Sequence, residues 1–125
     1  MIIRKPTMLD IVKIAAIMCP DSNEERAEFV SIWLQKQQEE IFVDLVAVHK
    51  KKVLGFVAGN LVNVHLAVIW MKAETQEMLQ TLWEKLKKNI EFETAGIVTS
   101  DPTLFQTLGF VPSFIVMQYK GSDSQ

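Results

Sequence analysis

A chain of 125 residues that is 49% hydrophobic has the material for one domain with its own buried core. Its net charge of −2 and its short, scattered lysine runs build no continuous basic stripe, which excludes nucleic acid as an expected partner. A single cysteine, Cys19, excludes an internal disulfide framework and a cysteine-rich zinc site, implies no metal, and fits a reducing, cytoplasmic compartment.

The N-terminal run Met1-Ile2-Ile3-Arg4-Lys5-Pro6 lacks the long apolar segment of a signal peptide, and no later apolar run approaches the length of a membrane span. No membrane association is therefore expected. Ile2–Arg4 reads as a short strand broken at Pro6. Thr7, with Asp10 three residues on, is a capping-box start for a helix through Met18. Cys19-Pro20-Asp21 interrupts the chain, and Ser22 with Glu25 caps a second helix to about Gln38, with Ala27, Val30, Trp33 and Leu34 on one stripe.

Residues 41–49 and 53–58 are rich in Ile, Val and Phe, and the short Lys50-Lys51-Lys52 link makes them an antiparallel hairpin. Gly59-Asn60 marks the next turn. A third strand over 63–71 alternates Val64, Leu66, Val68 and Trp70 against His65, Ala67, Ile69 and Met71; with both faces largely apolar, it is expected to be central. Residues 74–90 form the clearest helix: Met78, Leu79, Leu82, Trp83, Leu86 and Ile90 recur at helical spacing, acids come first, and Lys85, Lys87 and Lys88 come last. A strand over 95–99 follows. Asp101 and Pro102 start a short helix that Gly109 ends, and 114–119 supply a closing strand. The domain spans residues 1–120, and 121–125 are a loose polar tail.

The helix ending in Leu108-Gly109-Phe110 before a last apolar strand, the hairpin run Lys52-Val53-Leu54-Gly55-Phe56-Val57-Ala58-Gly59, and the order β-α-α-β-β-β-α-β-α-β together resemble the GCN5-related N-acetyltransferases over nearly the whole chain. The resemblance implies an α/β acyl-CoA N-acyltransferase-like domain, a mixed, mostly antiparallel sheet flanked by four helices. It also implies transfer of acetyl from acetyl-coenzyme A to an amine. The cofactor would be held by Trp70 and Met71 at the strand end and by Ala73, Glu74, Thr75 and Gln76 after it.

The family's Gln/Arg-x-x-Gly-x-Gly/Ala loop, which wraps the coenzyme's diphosphate, has no match in Ala73-Glu74-Thr75-Gln76-Glu77-Met78. Glycines let backbone N–H groups close on a diphosphate at a helix start, and Glu74 and Glu77 bring negative charge there instead. Phe105 stands where the family often has a proton-donating Tyr, leaving Tyr119 as a distant substitute.

His65 is the titratable residue of the strand where the family places its general base, and Asp44 in the neighbouring strand is its candidate partner. His49 reads as an exposed turn residue, Cys19 as a small buried hydrophobe, and Trp33, Trp70 and Trp83 as sitting at core-compatible spacings. The glycine-free loop and high apolar share leave a second reading open. In it the chain is a catalytically silent member of the fold that serves as a structural or interaction module, as in bacteriophage virions or their assembly. A small-molecule or peptide sensor using the cleft between splayed strands is a third. Phe114, Val116 and their apolar neighbours predict a homo-oligomer or a larger protein partner.

Overall fold

The computed structural model describes residues 1–113, 119 and 121. Within them the elements follow the expected order: β1 (Ile2–Arg4), α1 (Met8–Met18), α2 (Asn23–Lys36), β2 (Phe42–His49), β3 (Lys52–Val62), β4 (His65–Ala73), α3 (Gln76–Asn89), β5 (Thr94–Ile97) and α4 (Pro102–Gln106). The strands form one five-stranded sheet in the order β1-β2-β3-β4-β5, antiparallel except for the parallel β4–β5 pair. The expected closing strand over 114–119, with its association surface at Phe114 and Val116, lies outside the described residues apart from Tyr119, which is exposed.

Helix starts follow the local signals. Thr7 Oγ1 caps α1, and the Asp10 carboxylate accepts from the Thr7 N–H at 2.8 Å, completing the capping box. That carboxylate also accepts from the two terminal guanidinium nitrogens of Arg4, which ties β1 to α1. Ser22 Oγ accepts from the Glu25 N–H at 3.2 Å to start α2.

The helices cover the sheet on two faces. Ile11, Ile14, Phe29 and Trp33 of α1 and α2 pack on Phe42, Val46, Val53 and Phe56. On the opposite face Leu82, Trp83 and Leu86 of α3 meet Leu45, Ala47, Val57, Leu66 and Val68, and Phe110 after α4 joins them against Trp83. Of the expected α2 stripe Trp33 is buried and Val30 and Leu34 pack against the same core, whereas Ala27 is exposed and Phe29 is buried in its stead. Arg26, next to Ala27, donates to the carbonyls of Cys19 and Pro20, which ties the first turn of α2 to the end of α1.

The second correction concerns Gly59-Asn60, which lies inside β3 and not in a turn. The β3–β4 reversal is at Asn63, with φ 55°, between the paired residues Val62 and His65. Gly59 serves close packing instead, since a Cβ there would come within 2.5 Å of the Ala67 carbonyl oxygen on β4.

Candidate active site

Strand β4 changes character halfway along. From His65 to Val68 it has β3 on one edge and β5 on the other, with His65 opposite Thr94 and Val68 opposite Ile97. Gly59 pairs with Val68 and Ala58 with Trp70, so Ile69 is an extra residue, a β-bulge. The bulge flips the phase: Ile69 and Trp70 both pack toward α1 and α2, and Met71 returns to the α3 face. Trp70 is thereby on the face opposite Leu66 and Val68, contrary to uninterrupted alternation.

Pairing with β5 stops at the same point. Beyond the bulge the Glu74 N–H donates to the Leu54 carbonyl at 2.9 Å. By strand alternation Lys72 also turns toward β3, while Met71 and Ala73 turn their main-chain N–H and C=O to the edge that β5 has left. Among the described residues, those two main-chain positions form an open strand edge leading directly into α3.

Thr75 caps α3, its Oγ1 accepting from the Met78 N–H at 3.1 Å. The amides of Gln76 and Glu77 lie in the first turn, where a helix leaves N–H groups without intrahelical acceptors. The Glu74 side chain does not lie over them: its Oε1 is 2.9 Å from Lys52 Nζ on β3. The Gln76 side chain donates to the Leu104 carbonyl at 3.2 Å and to Thr107 Oγ1. This bridge joins the helix that follows β4 to the helix that follows β5.

The two residues read from the sequence as base and partner are not brought together. His65 is exposed at the start of β4, its Nδ1 2.7 Å from Thr94 Oγ1. Asp44 is buried on the α1/α2 face, where its Oδ2 accepts from Trp33 Nε1 and Gln37 Nε2, each at 2.8 Å. Trp33 in turn stacks on Trp70, ring centroids 4.9 Å apart and planes within 10°. The Trp70 side chain therefore braces the post-bulge strand from behind, packed against the core rather than turned to the strand's open edge. Phe105 is buried, as its packing role requires, and His49 is exposed. Cys19 is a partly buried free thiol at the end of α1.

Sequence reasoning missed Ile69, Lys52 and Asn60. Asn60 Oδ1 is the buried side-chain polar atom without a partner among the described residues. It belongs to the rung beside Ala67, on the same edge of β3 as the bulge. Gly59 was the available signal for the bulge, because a glycine within a strand marks a close backbone approach. A cavity of about 210 Å³ lined by Gly96, Ile97, Phe105 and Phe110 lies between β5 and α4, and no residue of β4 lines it. Among the described residues no group of His, Cys, Asp or Glu could hold a metal ion, and no helix is long and apolar enough to cross a membrane.

Comparison with solved structures identifies the architecture as the GCN5-related N-acetyltransferase fold. An apo aminoglycoside 6'-N-acetyltransferase from Acinetobacter haemolyticus is similar with a TM-score of 0.75 at 12% identity, covering 98% of this chain and 99% of its own. A predicted acetyltransferase with acetyl-CoA from Clostridium acetobutylicum is similar with a TM-score of 0.67 at 16% identity, covering 95% of each chain. A transcriptional regulator from Bacillus halodurans is similar with a TM-score of 0.69 at 13% identity, covering 96% of this chain and 99% of its own. No protein-family model and no curated protein matches the sequence.

Proposed function

We propose that the chain binds acetyl-coenzyme A along the open edge of β4 and transfers its acetyl group to an amine. The observation that carries this reading is the coincidence of the Ile69 bulge with the end of β4–β5 pairing, which turns the main chain of Met71 and Ala73 toward an edge that has no paired strand among the described residues. A pantetheine arm carries amides that can pair with such an edge as an added strand would. A main-chain N–H beside the bulge is suited to hold the thioester oxygen as negative charge develops there. The amine nitrogen attacks the carbonyl carbon, the C–S bond breaks, the nitrogen gives up one proton to water, and the departing thiolate takes one from water, since Phe105 has none to give.

His65 stands about 13 Å along the strand from the bulge, from its spacing at about 3.3 Å per residue, and Asp44 is occupied by Trp33 and Gln37. Neither reaches an amine at the bulge directly, so the acceptor enters as the free base. Transfer is then expected to rise with pH toward the acceptor's own pKa, with no plateau near 6.5, the ordinary histidine value.

The glycine-free start of α3 and the Gln76 bridge predict weak coenzyme binding. Thermal-shift titration tests this, because ligand at a hundredfold its dissociation constant stabilises a fold by roughly 2.7 kcal/mol. Glu74→Gly combined with Gln76→Gly should tighten binding by removing the bridge and the side chains in the diphosphate's path. No shift with millimolar acetyl-coenzyme A in either protein would overturn the reading.

A second reading, a catalytically silent fold used for interaction, is favoured by one observation. The hydrogen bonds from Gln76 to Leu104 and Thr107 span the gap through which the coenzyme would pass. Retention of that bridge at saturating acetyl-coenzyme A, seen as an unchanged Gln76 side-chain amide resonance, would select it.

A further inference from the structure

At the tip of the β2–β3 hairpin, Lys50 and Lys51 both hold left-handed backbone conformations, φ 49° and 66°. Asn-Gly is the relaxed choice for such a two-residue turn; residues with a long side chain are strained in it. Strain retained at one place directs attention to what the side chains do there. Lys13 on α1 donates to the Lys51 carbonyl at 2.5 Å, which seats the turn against the helix. Lys52 reaches Glu74, the residue before the α3 cap.

These lysines surround one concavity. A recess of about 140 Å³, with Ile17, Val53 and Phe56 on its apolar side and Lys72 at its rim, is contiguous with a more open groove of about 410 Å³. The groove is lined by Lys13, Lys50, Lys51 and Lys52, and the two share Ile17, Val53 and Glu74. Glu74 is the single acid among the lining residues of either. Three separate elements thus deliver ammonium groups to one place in a chain whose net charge is −2.

We propose that this groove binds clustered phosphate groups carried by a small molecule with an apolar body. Lysine binds phosphate as a point charge, and several ammonium groups around a concave surface reinforce one another in a way that scattered lysines do not. On the apolar side it is the exposed Ile17, backed by the buried Val53 and Phe56, that offers contact to a base or other planar group. The Lys52–Glu74 pair is exposed on both sides, 68% and 45%, so it is a weak pair that an incoming phosphate exchanges for Glu74 at little cost. Two sources carry this chemistry: the nucleotide end of an acyl-coenzyme A reaching past Ala73 and Glu74, or a free nucleotide. The first rests on the acetyltransferase reading; the groove itself does not.

The test uses the full chain, calorimetry and amide chemical shifts, with adenosine 3',5'-bisphosphate and coenzyme A as probes. Lys50→Asn with Lys51→Gly removes two charges and relaxes the turn, so the fold is kept. The double variant, and Lys52→Ala separately, should weaken bisphosphate binding about tenfold or more, Glu74→Gln should strengthen it, and added salt should weaken it. Shared shifts and mutual competition identify the coenzyme as the source, whereas bisphosphate binding without coenzyme binding identifies a free nucleotide. Absence of bisphosphate binding at millimolar concentration, or affinity unchanged within about twofold in both lysine variants, would overturn the proposal. Acetyl transfer from a phosphate-free N-acetylcysteamine thioester reports on the acetyltransferase reading separately, whatever the groove does.

Discussion

The two halves of β4 differ in what surrounds them. From His65 to Val68 the strand is hydrogen-bonded on both edges, and Leu66 and Val68 are buried under α3. From Trp70 to Ala73 it has, among the described residues, β3 on one edge only, and its hold comes from Trp70 stacked on Trp33 and from the Glu74 N–H on Leu54. One strand thus provides a fixed segment and, continuous with it, a segment with free main-chain capacity. The difference shows how a sheet can leave an edge open without leaving the whole strand prone to pairing: the bulge confines the open part to a few residues.

If the aromatic stack holds the open half in place, Trp33→Ala should be the most damaging change. Trp33 is fully buried, meets Phe42 and Phe56 edge-on, and gives Asp44 one of its two donors. A loss of about 3–5 kcal/mol in denaturant unfolding is expected, with the acetyl-coenzyme A response falling in the fraction that remains folded. A cost under about 1 kcal/mol would show that β3 pairing alone fixes Trp70.

Gly59→Val tests the closed half. The added Cβ would meet the Ala67 carbonyl oxygen at 2.5 Å and the Val68 Cα at 3.0 Å, backbone atoms with little freedom to move. The expected loss is about 2–3 kcal/mol, with faster amide exchange at Leu66 to Val68. Normal stability and unchanged exchange would refute the close approach at the bulge.

The smallest effect should come from Asp10→Asn, far from the bulge at the β1 edge. Burial pushes the Asp10 pKa up, but hydrogen bonds from Arg4 and Thr7 outweigh it, and the net direction is down. A carboxyl lowered in the folded state stabilises the fold above its unfolded value, about 3.9, and that contribution is lost as pH falls through the folded value. Near neutral pH the variant should lose about 1–2 kcal/mol. The gap between the two proteins should narrow below about pH 4, and coenzyme binding should not change. A gap independent of pH would mean that the Arg4 contact contributes no charge stabilisation.

Much of the frame was readable from short stretches of chain. Thr7 with Asp10, Ser22 with Glu25, and Asp101 before Pro102 each mark a helix start through groups a few residues apart, and each is observed. The apolar spacing of α3 named the residues that bury it, Leu79, Leu82, Trp83 and Leu86. The site was less readable. The run Val64, Leu66, Val68, Trp70 reads as an unbroken alternation, yet Ile69 interrupts it, and Gly59-Asn60 has the composition of a turn although it sits within a strand. His65 and Asp44 were joined by their chemistry, while the fold gives them to Thr94 and to Trp33 and Gln37.

The sequence by itself determined the element order, the caps, the hairpin and the apolar faces, because each depends on neighbours within a few residues or on a period of the chain itself. The tertiary structure decided the bulge, the end of β4–β5 pairing, the Trp33–Trp70–Asp44 assembly and the gathering of lysines around Glu74. Each of these depends on how strands distant in sequence align, and a one-residue shift in that alignment moves a side chain to the opposite face. Local patterns carry no record of such a shift until the partner strand is in place.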